Sequence, residues 1–267
     1  MPPFPTVELT LRIYENMVYC LTECKNKEET AMSVTTVLFD LDGTLLPMDY
    51  DLFIKTYFGL LAKKMAPLGY EPEGLIKAVW KGTAAMVRND GTKTNEDAFW
   101  DVFCGIYGEG AREHIPQFDD FYRTDFQKVK DVCGYTPEAA GTVRLCRELG
   151  LGVALATNPV FPLVATDSRI RWTGMTPADF DLVTTYENAR YCKPNPAYYE
   201  DICRILGVGP ENCLMVGNDV SDDMPAASLG MQVFLLTDCL LAPEGEDIGR
   251  YPHGGFDALQ AYIRALK

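Results

Sequence analysis

The chain has 267 residues, 47% hydrophobic and 23% charged, with 24 Lys and Arg against 38 Asp and Glu for a net charge of −14. That composition excludes disordered and fibrous classes, and the length permits a core that needs no disulfide or structural metal. The acidic balance argues against nucleic acid and anionic membrane surfaces as partners, yet leaves a small anionic substrate open.

The apolar residues of the first thirty are interrupted by Glu8, Arg12 and Glu15, with no basic stretch ahead of them, so a signal peptide is not expected. Residues 1–31 are expected to form a weakly ordered N-terminal extension, or to stem from an upstream start, because Met32-Ser33 stands directly before the first strand. Thr35–Phe39 is short, β-branched and apolar, and ends abruptly in Asp40-Leu-Asp-Gly-Thr44, as a buried strand running into a glycine turn. The period then changes to helical, over Tyr50–Met65, Pro72–Val87, Asn95–Ile106 and Arg112–Val129, with Gly69, Gly91 and Gly108 as punctuation.

Strand and helix alternate after that. Pro137–Glu148 reads as a helix and Gly152–Ala156 as a strand ending at Thr157-Asn158. A helix at Pro162–Trp172, a strand at Leu182–Thr184 and a helix at Pro196–Leu206 follow. Strand Cys213–Val216, helix Met224–Leu229, strand Gln232–Leu235 and helix Phe256–Ala265 complete the chain. Apolar strands separated by helices imply a doubly wound parallel sheet covered on both faces, an α/β Rossmann-like core. The expected division is a core of 32–48 and 134–267 with an all-helical insert at 49–133.

Nine scattered cysteines without a Cys-x-x-Cys pattern read as small buried hydrophobes in a reducing cytosol, which places the protein in the cytoplasm. Two histidines, His114 and His253, make a Ser-His-Asp hydrolase or a His-rich zinc site a poor expectation. No stretch approaches the length of a membrane span.

Polar residues gather where strands end, the place where open α/β sheets bind ligands. Asp40, Asp42, Gly43 and Thr44 follow the first strand, and Thr157 and Asn158 follow the second. Lys193 lies in Cys192-Lys-Pro-Asn-Pro196, and Gly217-Asn-Asp-Val-Ser-Asp-Asp223 follows a later strand. Each piece alone has a plain reading as turn, cap, surface charge or solvated loop. Together they form a set of converging carboxylates that repel unless a hard cation sits among them, and oxygen ligands of this kind suit Mg²⁺. A carboxylate can also attack phosphorus, a second can move the proton, and hydroxyl, amide and ammonium groups can hold the transferring oxygens.

The combination resembles the haloacid dehalogenase (HAD) superfamily of phosphohydrolases. The first motif, Asp-x-Asp-Gly-Thr, is present in full at Asp40–Thr44; Thr157, Lys193 and the acidic loop Gly217–Asp223 supply the rest. The resemblance implies a Mg²⁺-dependent phosphatase acting on a small phosphorylated metabolite through an aspartyl-phosphate. Asp40 is then the nucleophile, Asp42 the general acid and base, Thr157, Asn158 and Lys193 the phosphate-binding groups, and 49–133 a cap. Asp40, Asp42 and Asp219 are the expected metal ligands, with Gly43, Thr44, Asn218 and Asp223 in support. One departure is that Asn218 stands directly after Gly217, where the common pattern has Asp. Either its carbonyl or Asp219 takes the metal; we assign Asp219, with Asp223 orienting Lys193 or a metal-bound water.

By the same resemblance Asp42 argues against a dehalogenase, because a halide leaves without a proton. A sugar phosphomutase is the alternative, and a phospho-accepting signalling module a more distant one. The insert carries 11 Lys and Arg against 14 Asp and Glu, so it is no basic clamp. Its aromatics, among them Tyr50, Phe53, Tyr57, Phe58, Trp80, Phe99 and Trp100, are expected chiefly to pack its own core. Lys81, Arg88 and Lys93 are candidates for a second anionic group, and Arg190 for the cleft wall. The residues say nothing of oligomeric state.

Overall fold

The computed structural model describes residues 34–266, so the extension expected at 1–31 lies outside the described residues. Six parallel strands form one sheet in the order β3-β2-β1-β4-β5-β6: β1 Thr36–Phe39, β2 Gly152–Leu155, β3 Leu182–Val183, β4 Cys213–Gly217, β5 Gln232–Leu236 and β6 His253–Gly254. Strand β1 lies at the centre, with Phe39 paired to Leu155 on one side and to Val216 on the other.

Successive side chains of a strand face opposite ways, so β1 feeds two cores. Val37 and Phe39 join a cluster with Val143, Cys146, Leu259 and Ile263. These come from helices α5 (Pro137–Glu148) and α8 (Phe256–Ala265). Leu38 joins Tyr198, Tyr199 and Ile202 of helix α7 (Pro196–Leu206) on the other face. Both faces are therefore covered, and the doubly wound α/β class is the observed one.

Between β1 and α5 the chain is helical: α1 Tyr50–Met65, α2 Pro72–Val87, α3 Asn95–Tyr107 and α4 Ile115–Arg123. Asp49 caps α1 by accepting from Leu52 N at 3.0 Å, and Thr94 caps α3 by accepting from Asp97 N at 3.1 Å. The single helix expected over Arg112–Val129 is instead divided. Pro116 sits at the start of α4, and Thr124 leaves helical geometry at φ −118°, ψ −82°. Tight 3-10 turns, Glu109–His114 and Asp125–Val132, lie on either side. Met224–Leu229 is also a 3-10 segment, and the two-residue edge strand β6 was too short to show in an apolar pattern.

The entry and exit of this helical stretch are tied together. Met48 bridges Cys133, and Gly134 N donates to Pro47 O at 2.7 Å. Buried Asn95 fastens the stretch to the loops beyond β2 and β3, donating to Pro159 O at 3.2 Å and Tyr191 O at 3.3 Å. The helical layer thus stands over the carboxyl ends of the strands, where the motif residues emerge. Among the described residues no helix is long and apolar enough to cross a membrane, and seven cysteines are free thiols.

Helices α2 and α3 meet closely at Gly82, where an added Cβ would stand 2.5 Å from Phe99 Cδ2. Gly59 in α1 has nothing within 4 Å of such an atom. Gly59→Ala is expected to stabilise by about 0.5–1 kcal/mol through helix propensity. Gly82→Ala is expected to destabilise by roughly 1–3 kcal/mol through overpacking. Urea unfolding of the two variants checks this, and equal gains at both positions would contradict the packing described.

Candidate active site

The site is built where β1, β2 and β4 end side by side. Asp40 N still donates to Val216 O at 2.9 Å, so the Asp40 side chain leaves the last rung of the ladder. The chain then turns sharply, with Gly43 N on Leu46 O at 2.8 Å and Leu46 N on Leu41 O at 2.8 Å. Gly43 has φ +83°, and a Cβ there would stand 2.3 Å from Asn218 Nδ2. Glycine is needed for both the conformation and the space.

Lys193 lies at the centre of the charges, buried to 2% exposure. Its Nζ donates to Asp40 Oδ1 at 2.8 Å and to Asp223 Oδ1 at 2.6 Å. Burial works against the ammonium charge, but Asp223 and Asp40 outweigh it and hold Lys193 protonated. Burial pushes the Asp223 carboxyl up, with Lys193 opposing. The second Asp223 oxygen accepts from Asp219 N at 3.0 Å. Asp223 reaches this place only because residue 217 is glycine: a Cβ there would stand 2.0 Å from Asp223 Oδ2.

Asp42 belongs to a second pair. Its Oδ2 accepts from Arg169 Nη1 of helix α6 (Leu163–Trp172), and the Arg169 side chain is fully buried. The guanidinium also lies 4.3 Å over the Phe161 ring and donates to Thr166 Oγ1 at 3.2 Å. Burial raises the Asp42 pKa, Arg169 lowers it and Asp40 raises it further, with a net upward direction. Asp42 Oδ1 is buried without a hydrogen-bond partner.

The remaining motif residues surround the same cavity. Thr157 lines it at 2% exposure, and its carbonyl accepts from Thr184 Oγ1 and Tyr198 OH, both at 2.8 Å. Asn158 Nδ2 donates to Asp222 Oδ2 at 3.2 Å, while Asn158 Oδ1 is buried and unpartnered. Burial raises the Asp222 pKa. Thr44 Oγ1 donates to Asn218 Oδ1 at 2.9 Å, and Asn218 Nδ2 donates to Cys239 O at 2.7 Å. The Asn218 amide is thereby occupied at both ends. Asp219 Oδ1 accepts from Ser221 N at 2.7 Å and Asp222 N at 3.2 Å, which leaves its other oxygen for the cavity.

The cavity spans about 860 Å³ including its open mouth. Five carboxylates line it (Asp40, Asp42, Asp219, Asp222 and Asp223), against the two buried cations Lys193 and Arg169. Among the described residues no three His, Cys, Asp or Glu side chains converge tightly enough to close on a metal by themselves. A hexacoordinate Mg²⁺ fits the donor set nonetheless, because it takes one or two carboxylates and fills its shell from water and phosphate. The excess of carboxylate and the orphaned Asp42 Oδ1 are the features that fit it.

Several expectations are corrected. Lys93 pairs with Asp101 at 2.9 Å on the exposed surface, and Lys81 and Arg88 are exposed and line neither this cavity nor the apolar one beside it. Arg190 lines a separate recess with Ile205. The aromatics of the insert do pack its core, with Phe53, Tyr57, Phe58, Phe99 and Trp100 in the buried cluster, and all of these but Phe53 also line that apolar cavity, together with the exposed Tyr50 and Trp80. Arg169 was missed. Its signal was a cation in line with Ala165 and Trp172, spaced to fall on the buried face of α6.

A family model for haloacid dehalogenase-like hydrolases matches residues 34–230, and the chain belongs to that family of hydrolases. Pyrophosphatase PpaX of Bacillus cereus (strain AH820) is 23% identical over 199 residues, covering 74% of this chain and 81% of its own. A HAD phosphatase from Thermococcus onnurineus superposes with a TM-score of 0.56 at 19% identity, over 86% of this chain and 98% of that one. A 2-haloacid dehalogenase from Pseudomonas syringae pv. tomato DC3000 does so at 0.55 and 19%, over 87% and 98%. At these identities the two structures show the shared fold.

Removing one member of a buried ion pair leaves an uncompensated charge. Arg169→Leu is expected to cost about 3 kcal/mol, near the low end for such pairs because part of Asp42 reaches the cavity. The double variant Arg169→Leu/Asp42→Asn is expected to lose clearly less than the two single losses added. Urea unfolding of the four proteins checks it; strictly additive losses would contradict the coupling.

Proposed function

We propose that the protein hydrolyses phosphomonoesters by way of a phosphoryl group carried on Asp40. The observation that supports this most is the pairing of two carboxylates of different surroundings on one cavity. Asp40 is held by Lys193 at 2.8 Å, and Asp42 is held by Arg169 in a place where burial raises its pKa. Two carboxyl groups on one cavity, one against a shared ammonium and the other raised by burial, are an arrangement suited to nucleophilic attack and acid–base work together.

In the first step an Asp40 oxygen attacks phosphorus and the bond from phosphorus to the ester oxygen breaks. The leaving oxygen takes the electron pair and receives its proton from the Asp42 carboxyl. In the second step Asp42, now ionised, takes a proton from water, the water oxygen bonds to phosphorus, and the Asp40 carboxylate departs. Lys193 and the amide of Asn158 hold the transferring oxygens, with the Thr157 hydroxyl beside them. Lys193 also keeps the Asp40 carboxylate aimed at phosphorus, and Asp223 keeps Lys193 charged and in place.

Asp40, Asp42 and Asp219 are the residues that would hold Mg²⁺. Bound there, it would offset negative charge on the phosphoryl oxygens and the carboxylates around them. The Asn218 amide, engaged by Thr44 and Cys239, serves to brace the loop instead. The retained proton donor at Asp42 favours an oxygen leaving group, which needs a proton, over a halide, which does not.

Phosphate release from p-nitrophenyl phosphate is expected with Mg²⁺ and to fall on chelation. Asp40→Asn is expected to lower turnover by at least about 10³-fold, because an amide cannot form the acyl phosphate. Turnover by Asp40→Asn within a few-fold of the unaltered protein would overturn the assignment.

A further inference from the structure

Next to the acidic cavity lies a second one, between the helical layer and the loop after β2, which spans about 740 Å³ including its open mouth. The two are contiguous, since Tyr50, Ile54, Val160 and Phe161 line both. The second is walled almost wholly by aliphatic and aromatic side chains. Asp119 is its one charged lining residue, and no Lys, Arg or His lines it. Its other polar groups are few and neutral: the Tyr57 and Tyr122 hydroxyls bond to each other at 3.0 Å, which leaves one proton between them, and Trp100 Nε1 is buried without a partner among the described residues.

Lys193 lines the acidic cavity together with Tyr50, Ile54, Val160 and Phe161, so an ester whose phosphate sits against Lys193 can extend past that shared wall into the second cavity. A carboxylate, sulfate or second phosphate there would enter an apolar, acid-flanked space without a cation, at a large desolvation cost. The cations that might have met it are engaged elsewhere: Arg169 is fully buried on Asp42, and Lys193 is between Asp40 and Asp223. Lys81, Arg88, Lys93 and Arg190 line neither cavity.

We infer that the apolar cavity receives the leaving group, and that the substrates are monophosphates of largely apolar alcohols without a second anionic group. This rests on the phosphohydrolase reading above and narrows it. Bisphosphates, phospho-acids and pyrophosphate fall outside the class, and with them the phosphomutase alternative, which needs a place for two phosphates.

The test compares alkyl phosphates whose leaving alcohols are similarly basic, so that intrinsic reactivity does not decide the order. With the full chain and Mg²⁺, kcat/KM is measured for methyl, butyl, hexyl and 2-phenylethyl phosphate, and for glycerol 3-phosphate, phosphoglycolate and inorganic pyrophosphate. The expected result is a rise of about two- to fourfold per methylene from methyl to hexyl, as apolar surface is buried. Phosphoglycolate and pyrophosphate are expected at least tenfold below hexyl phosphate. Thr83→Trp, which puts an indole into the cavity from α2, is expected to collapse the hexyl-to-methyl ratio toward one. If phosphoglycolate, pyrophosphate or methyl phosphate is cleaved as well as the apolar esters, the assignment of the cavity is wrong while the phosphohydrolase reading stands. If none of these compounds releases phosphate, both fall.

Discussion

The buried ammonium of Lys193 between Asp40 and Asp223 is the contact on which the rest of the site depends. Parallel strands bring their carboxyl ends to one edge, and here that edge carries acids from β1 and from the loop after β4. Without a cation between them Asp40 and Asp223 would repel across a space that excludes most water, where Coulomb interactions are strong. Lys193 satisfies both at 2.8 and 2.6 Å. Its position in turn requires Asp223 to fold back over β4, which the missing Cβ of Gly217 permits. Sheet order, glycine placement and charge are thus one constraint seen at three levels.

A second ion pair gives the two aspartates separate characters. Asp40 lies against a cation shared with Asp223. Asp42 has Arg169 to itself on one oxygen and an unsatisfied oxygen on the other, in buried surroundings that raise its pKa. Arg169 also stacks on Phe161, and Phe161 lines both the acidic and the apolar cavity. The acid–base group, its cation and the wall of the proposed leaving-group site are therefore in direct succession. A shift of Phe161 by an occupant of the apolar cavity would be felt at Asp42 through one guanidinium.

The sheet and most helices were legible because their signals are local. Thr36–Phe39 and Cys213–Gly217 are short apolar runs closed by turn residues, and Pro137, Pro196 and Phe256 begin helices where periodicity places them. The helix broken at Thr124 was not legible, since apolar spacing continues through 3-10 turns and only the backbone departs. The acidic loops were visible as motifs, yet their pairing was not. That Asn218 is bound by Thr44 and Cys239, and that Arg169 meets Asp42 across 127 positions, depends on which strand ends are neighbours. The aromatics of the insert illustrate the same limit: spacing marks them as apolar, and only packing shows that they surround a space. The net charge of −14 is also unevenly placed, because five of its carboxylates line one cavity beside two buried cations.

The proposed reaction depends on a carboxylate oxygen of Asp40 receiving phosphorus. The most direct measurement is acid quenching within a single turnover, followed by mass spectrometry of the peptide that contains Asp40–Thr44. The account predicts the mass of one phosphoryl group on Asp40, appearing and decaying within the turnover and absent from Asp40→Asn. Full turnover with no such adduct, or an adduct located on another residue, would contradict it.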